Sequence, residues 1–582
     1  MATKYGSVSA AKTNEIDTSG FPVKTGLVGF LLRWAPWLIL LLTALVFSKS
    51  VFCDFTNFDD DTFILKNEQI RDISLDGLKA IFTSFKAGKY QPLTNFSFAI
   101  EYYFFGYNSM VVHLTNLLLH MASTLVVFKL GERLSGNRIT AIVVSVLFAI
   151  HPMHVEEVVW ASERKDTLYA FFYLLALLSY TAYISGGLKL KNYVVTFLLF
   201  VAALLSKSEA VTLPVLLIII DVYKGRRINR KAIIEKVPML LLSVGILVVS
   251  FLSAQSEGGL GAVSIAVYGW VNRIFLFTSV PAFYIVKLFV PVNLSAMHYY
   301  PDMHNGLFPW MYYASLPFLL LVIWFVFRRS SFRKELLFGS AFFAGAICIM
   351  PQLVSVGPAL TPERYSYIPY IGFFFIIGQW VSRYGVNKWR IPLYTGFGVV
   401  VLLFCVISWN RIDVWRNSEV LLTDVLEKNS DVADCSFFYW LRGNARMKEG
   451  SVKEAIEDYT IATQQFPHYA EAFSNRGSAY FQLGDFNAAI HDFDQAVKFK
   501  PTNARNFYNR AAGRASVGDF PGALADYDRF IQMEPNDANA YADRGMVKVS
   551  LKDTVGACID WKKSAQMGNE TAGQIASQVC GQ

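Results

Sequence analysis

The sequence predicts an all-α membrane protein in two parts, a polytopic helical bundle followed by a helical solenoid. Three observations carry this reading. Hydrophobic residues make up 54% and charged residues 17% of the 582 positions, against roughly 25% charged in an average soluble chain. Up to about residue 410, apolar runs of helical length alternate with short polar loops. Beyond it, charge rises and a pattern recurs every 34 residues, in blocks starting at Ser436, Ala470, Ala504 and Ala538. A disordered chain and a wholly soluble one are thereby excluded. Six cysteines with no CxxC or Cys/His spacing argue against a zinc module or a disulfide scaffold.

The elements follow in order. Residues 1–27 form a polar start carrying Lys4, Lys12 and Lys24. The run 28–52 is long and lacks an A-x-A cleavage site, so it reads as a retained anchor. Further runs lie near 109–130, 139–151, 166–184, 192–206, 209–223, 233–253, 267–291, 309–327, 335–351, 366–382 and 391–409. Several fall short of the ~20 residues that cross a bilayer.

The net charge of +8 is clustered in loops, which points to membrane orientation rather than nucleic acid. Basic groups occur at Lys129/Arg133/Arg138, Lys189/Lys191, Lys224 to Lys236, Arg328/Arg329/Arg333/Lys334 and Arg383/Lys388/Arg390. Placing them in the cytoplasm puts 54–108, 152–165, 254–266, 292–308, 352–365 and everything beyond 410 outside. The run 267–291 then begins and ends outside, and is expected to be a re-entrant hairpin broken near Pro281. About eleven crossings result. The membrane domain spans 28–410, with 54–108 its first external loop. A connecting stretch covers 411–435, the repeats 436–569 and a tail 570–582.

The repeat has a physical signature. Position 8 reads Gly443, Gly477, Ala511, Gly545; position 20 reads Ala455, Ala489, Ala523, Ala557; position 24 reads Tyr459, Phe493, Tyr527, Trp561. Small residues where paired helices cross, with an aromatic filling the gap, are the tetratricopeptide (TPR) pattern. Four such units stack into a solenoid with a concave groove.

Three external segments carry the residues suited to chemistry. Asp59, Asp60 and Asp61 follow the first anchor directly. Adjacent carboxylates repel, which raises the pKa of at least one, and such a group serves as general base toward a hydroxyl. A solvated acidic loop is the competing reading. The second segment, 151–166, crowds His151, His154, Glu156, Glu157, Arg164 and Lys165 between two membrane runs, where ionisable groups are costly. Its His-x-x-His-x-x-Glu spacing allows a metal site; a salt-bridged interfacial helix is the alternative. The third, 361–369, sets Arg364 beside Glu363 and Tyr365, an arrangement suited to a phosphate headgroup; an aromatic belt with a snorkelling cation is the alternative. No P-loop or GxSxG motif supports nucleotide or serine hydrolysis.

Phe58-Asp-Asp with Asn67, Tyr90-Gln-Pro-Leu-Thr, His113-Leu-Thr-Asn-Leu, His151-Pro-Met-His-Val-Glu156 with Arg164, Glu363-Arg-Tyr-Ser-Tyr-Ile-Pro, Trp415-Arg-Asn and then TPRs occur in this order. That order resembles the transmembrane and TPR-containing O-mannosyltransferases, over about 54–569. The resemblance implies a GT-C glycosyltransferase fold and transfer of a sugar from a polyprenyl-phosphate donor to protein hydroxyls on the outer or lumenal side, by inverting displacement. It implies Asp59 as base and Asp60 as the second acid. Arg364, with Arg164 or Lys165, would hold the donor phosphate; Glu156, His151, His154, Tyr90, Glu363 and Tyr365 would support the site. No resident cofactor and no obligatory metal are expected. Asp61 extends the family's acid pair to three, and Lys207-Ser-Glu stands where eukaryotic relatives read Lys-Glu-Gln.

The short loops suggest a bacterial protein of the inner membrane with periplasmic TPRs; in a eukaryote the counterpart is the ER lumen. Expected partners are the lipid-linked sugar, membrane lipids and acceptor proteins in the TPR groove, with no nucleic acid. Position 6 of the repeats reads Leu441, Asn475, Asn509, Asp543; the last three are the candidate acceptor-binding residues, since an amide can pair with a peptide backbone without reading its side chains. Two readings compete: a GT-C enzyme acting on lipid or polysaccharide, and a non-enzymatic TPR scaffold.

Overall fold

Glycines set how closely the membrane helices pack. The computed structural model describes residues 27–256, 268–303, 305–328, 331–349, 359–385, 389–430, 432 and 434–581. The N-terminal lysines, Arg329, Lys388 and most of the 254–266 loop lie outside them. Two compact units emerge, one holding the helices through Val414 and the other the solenoid.

In the first unit, α1 (Leu27–Phe47) leads into a region with α2 (Leu75–Thr83) and α3 (Pro92–Phe105). Then follow α4 (Ser109–Ser135), α5 (Arg138–Ile150), the short α6 (Val155–Val159), α7 (Arg164–Ser185), α8 (Leu190–Ser206), α9 (Leu213–Tyr223), α10 (Arg230–Ile234) and α11 (Val237–Ser256). The unit closes with α12 (Trp270–Phe289), α13 (Trp310–Arg328), α14 (Arg333–Ile347), α15 (Tyr370–Tyr384) and α16 (Arg390–Val414). Among the described residues, seven helices are long and apolar enough to span a bilayer, or eight if the bent α5–α6 pair counts as one.

The α4–α5 corner shows how sequence fixes a turn. Gly136 at φ 65° ends α4, and the Asn137 side chain caps α5 by accepting from the Ile139 and Thr140 amides. The closest packing is between α14 and α15. A Cβ on Gly339 would lie 2.4 Å from the Gly372 carbonyl oxygen, and one on Gly372 would lie 2.3 Å from that of Gly339. Backbone meets backbone there, as small residues permit in membrane helices. Gly378 meets Thr140 of α5 in the same way. These contacts fix α15, and with it the loop that precedes it.

The expected hairpin at 267–291 is not present. Helix α12 is continuous over twenty residues with Pro281 inside it. The pairs Tyr268–Phe308, Phe275–Tyr313 and Thr278–Ser315 also run in the same order along α12 and α13. Successive apolar runs are therefore not all antiparallel, which is what counting crossings by alternation assumes.

In the second unit, α17 (Ser418–Lys428) precedes the repeats. Their first helices are α18 (Ser436–Glu449), α20 (Ala470–Gln482), α22 (Ala504–Ser516) and α24 (Ala538–Ser550). The second helices are α19 (Val452–Gln465), α21 (Phe486–Phe499), α23 (Phe520–Met533) and α25 (Thr554–Gln566). A Cβ on Gly443, Gly477 or Gly545 would lie within 2.8 Å of the ring of Tyr459, Phe493 or Trp561, so the small–aromatic pairing read from sequence is a steric necessity.

A second repeating contact joins position 7 to position 23. Arg442–Asp458, Arg476–Asp492, Arg510–Asp526 and Arg544–Asp560 are each two-pronged, with both aspartate oxygens engaged. Each of the last three arginines also reaches back to position 25 of the preceding repeat, at Thr460, Asp494 and Asp528. The stretch expected to be a tail forms α26 (Glu570–Val579), and Cys580 is disulfide-bonded to Cys558 of α25. The argument against a disulfide scaffold therefore missed one bond. It clips the last helix onto the stack.

The two kinds of arginine partner should differ in weight. Asp526 is 5% exposed and Asp528 48%. Asp526→Ala leaves Arg510 without its buried partner and should cost about 3 kcal/mol; Asp528→Ala should cost under about 1 kcal/mol. Denaturant unfolding of the full chain, followed through the solenoid transition, measures both.

Candidate active site

Three consecutive acids go to three different places. The chain after Phe58 enters a widened helical turn, in which the Lys66 amide donates to the Asp61 carbonyl five residues back. Asp60 is buried and its Oδ1 accepts the Ser162 amide at 2.8 Å. Asp61 Oδ2 pairs with Lys66 at 2.8 Å. Asp59 keeps an open carboxylate, 31% exposed, with Lys89 Nζ 4.0 Å away. Lys89 is aimed by a tight turn. Lys86 and Lys89 exchange backbone hydrogen bonds around Ala87 and Gly88, at φ 47° and 67°. Alanine in that left-handed region is strained.

The second segment bends by 56° between α5 and α6, and its histidines hold the bend. His151 Nδ1 accepts the Met153 amide at 3.2 Å while Nε2 donates to the Leu288 carbonyl at 3.1 Å. His154 Nδ1 donates to the Phe148 carbonyl at 2.8 Å. Tyr367, Tyr370 and Phe374 surround His154. With both ring nitrogens engaged by backbone, His151 is not placed to ligate a metal with His154 and Glu157.

Beyond the bend, four cations are interleaved with three aromatic rings. Lys89 and Lys165 lie 4.6 and 5.6 Å from the Phe63 ring. Lys165 and Arg364 lie 5.6 and 5.5 Å from Trp160. Arg364 and Lys207 each lie 5.7 Å from Tyr365. Carboxylates neutralise each cation. Arg364 meets Glu156 at 2.5 Å and Glu163 at 3.7 Å. Lys165 meets Glu163 at 2.7 Å, and Lys207 meets Asp166 at 2.7 Å and Glu209 at 3.1 Å. Lys89 interacts with Arg364 as well as Lys165, and Lys165 with Glu209, so the group is a compact patch rather than an extended line. Burial works against the Arg364 charge, but Glu156 and Glu163 outweigh it and hold the guanidinium above its usual value.

Some expected members are elsewhere. Arg164 is fully buried and faces the other way, as successive helical residues do at about 100° apart. Its guanidinium is taken by Asn116 at 2.5 Å, the Val112 carbonyl at 2.9 Å and Glu101 at 3.0 Å. It holds α3 and α4 to α7 and is not placed with Arg364 as a phosphate ligand. Tyr90 donates its hydroxyl to the Phe82 carbonyl, outside the patch. Glu363 is buried 3.5 Å from Arg411. Lys89, Lys207 and Glu209 were missing from the expected set. Lys207 had a visible signal: a lysine in the break between two apolar runs.

In the solenoid, Asn475 donates to Asn444 at 2.6 Å, and Asn444 also accepts the Tyr459 hydroxyl. Asp543 accepts the Tyr508 hydroxyl. Asn509 is half-buried.

Fold and site together define a helical membrane protein that carries a TPR solenoid and a buried cluster of paired charges. Residues 89–253 match the family described as dolichyl-phosphate-mannose-protein mannosyltransferase, and 443–484 and 470–503 match two TPR families. In sequence the chain is similar to proteins named protein O-mannosyl-transferase. Protein O-mannosyl-transferase Tmtc1 of Drosophila melanogaster is 34% identical over 135 residues, 23% of this chain and 16% of that protein. TMTC3 of Homo sapiens is 30% identical over 154 residues, 25% and 16%. F38B6.6 of Caenorhabditis elegans is 24% identical over 410 residues, 68% and 56%. The chain thus spans about half or less of the length of these relatives. Lys89, Glu156, Glu163, Lys165, Lys207 and Glu209 fall within the 89–253 match; Asp59 and Arg364 fall outside it.

The two arginines should fail differently. Arg164→Met leaves Glu101 and Asn116 facing an apolar side chain and should destabilise the fold by about 3 kcal/mol, seen as a lower Tm in detergent. Arg364→Met also strands a buried carboxylate, Glu156, and should lower Tm. The difference lies in the lysine variants. Arg364→Lys keeps a charge beside Glu156 and should recover most of the Tm, whereas Arg164→Lys cannot serve Asn116, Val112 and Glu101 together.

Proposed function

We propose that this chain is a membrane glycosyltransferase that moves a hexose, in the first instance mannose, from a polyprenyl-phosphate donor to serine or threonine hydroxyls of proteins. One observation carries the reading: a patch of four cations and three rings bordered by Asp59, a part-exposed carboxylate with Lys89 Nζ 4.0 Å away. The names of the relatives and the family match at 89–253 favour mannose.

The chemistry follows from the residues. Asp59 accepts the proton of the acceptor hydroxyl as that oxygen bonds to the anomeric carbon. The bond from that carbon to the phosphate oxygen breaks on the opposite face, and the phosphate leaves with the electron pair. Arg364 and Lys165 neutralise the charge that grows on it. One displacement inverts the anomeric configuration.

The reaction is proposed to occur outside the cytoplasm, in the periplasm of a bacterium or the lumen of the ER. The Cys558–Cys580 disulfide supports that side for the solenoid, because disulfides persist in oxidising compartments. The solenoid is proposed to select the acceptor peptide, through Asn475, Asn509 and Asp543.

Asp59→Asn keeps shape and removes proton acceptance, so turnover should fall by at least ~10²-fold with Tm unchanged. Asp61→Asn should cost much less. Retained turnover in Asp59→Asn, measured as sugar transferred from purified donor, sinks the assignment. Asn509→Ala should raise KM for a protein acceptor about threefold to tenfold, the weight of one net hydrogen bond, and leave KM for the donor unchanged. An unchanged KM for both removes the groove from acceptor choice.

A further inference from the structure

One corner of the patch serves neither base nor leaving group. Near the Tyr365 ring, which Arg364 also approaches, the Lys207 ammonium is shared by Asp166 Oδ1 and Glu209 Oε1. Asp166 is shut in at 2% exposure, whereas Glu209 is open at 21%. An ammonium has three donors, and two are used here.

Among the described residues, three carboxylate oxygens of the patch are buried without a hydrogen-bond donor: Glu163 Oε2 and Asp166 Oδ2 near Lys207, and Glu156 Oε2 beside Arg364. The Glu163 and Asp166 carboxyls lean on each other, and Glu156 lies among the Glu163 and Glu363 carboxylates. All three atoms are acceptors. An ionised phosphate has only acceptors and cannot fill them. A hydroxyl brings a donor and two lone pairs, so it can bond a carboxylate oxygen and accept the free N–H of Lys207 at once. Tyr365 adds an aromatic face on which the C–H side of a sugar ring packs.

We propose that Lys207, Glu209 and Tyr365 form the subsite that reads the hydroxyls of the transferred hexose. The inference rests on the donor reading above and extends it: Arg364 and Lys165 hold the phosphate, and this corner decides which sugar is accepted.

The test compares three ligands on the full-length protein in detergent: polyprenyl-phosphate mannose, its glucose epimer and sugar-free polyprenyl phosphate. Wild type should bind the mannosyl lipid more tightly than the other two. Glu209→Gln should weaken the mannosyl lipid about tenfold or more, as loss of a charged hydrogen-bond acceptor does, and narrow the gap between epimers. Its Kd for the sugar-free lipid should not move. Tyr365→Leu, measured in parallel, should shift the same two ligands if Glu209→Gln fails to fold. Arg364→Lys should weaken all three alike. Equal loss for the sugar-free lipid in Glu209→Gln overturns the subsite, and so does unchanged Kd for every ligand. Wild type binding all three equally also overturns it while leaving the donor reading in place. Wild type binding none removes the donor reading, and this inference with it.

Discussion

The contact between Arg364 and Glu156 is the one on which the rest of the membrane unit depends. A guanidinium buried among helices is tolerated only with its charge matched and its donors filled. Glu156 and Glu163 supply the charge from a segment some 208 positions away in the chain. That pairing dictates where two loops must lie, and neighbouring contacts exist on both sides to keep them there. Tyr284 donates to the Pro362 carbonyl at 2.6 Å. His120 and Tyr367 share a hydrogen bond of 2.6 Å, and the other His120 nitrogen meets the Ala149 carbonyl. The backbone-to-backbone approach of Gly339 and Gly372 leaves α15 no room to shift. The site is thus held before any substrate arrives, which is what electrostatic stabilisation of a leaving group requires.

The solenoid follows a separate logic. Its small–aromatic crossings set the angle within each repeat, and its arginines set the spacing between repeats. Arg510 and Arg544 bond their own repeat through a buried aspartate and the previous repeat through an exposed one, and Arg476 makes the second contact through Thr460. The first repeat has no predecessor, and there Arg442 takes Thr423 of α17 instead. At the other end α26 covers the last crossing, packing Ala572 and Ala576 against Trp561. Both ends of the array are thereby closed by single helices that the repeat pattern does not include.

What was legible in the sequence follows from these differences. The repeats were visible because each crossing imposes the same residues every 34 positions. The patch was half visible: Glu156 and Arg364 belong to polar loops between apolar runs, and such loops stand out. Asp59, Asp60 and Asp61 did not separate, because only the widened turn after them sends one to Ser162, one to Lys66 and one to the open. Arg164 and Lys165 are equivalent in sequence, and helix geometry turns their side chains about 100° apart, into different surroundings. The order of α12 and α13 was hidden for a further reason. Hydropathy measures whether a run is apolar, and carries nothing about its direction.

The charge balance of the patch bears on how the proposed reaction would run. Lys89, Lys165, Lys207 and Arg364 face Asp59, Glu156, Glu163, Asp166 and Glu209. Each cation is thus matched by at least one carboxylate, so none is left bare in the interior before substrate arrives. A lipid-linked phosphodiester brings one negative charge. During transfer the phosphate gains a second while Asp59 loses its own to the incoming proton. Net charge is therefore conserved, and the step moves one negative charge from Asp59 to the phosphate. Only a difference in stabilisation between those two places lowers the barrier. Asp59 has a single cation at 4.0 Å and is partly open to solvent, where charge interactions are weak. The proposed phosphate position lies by Arg364 and Lys165, both largely out of solvent, where the same interactions are several times stronger. The gradient built into the patch thus runs in the direction the charge must travel.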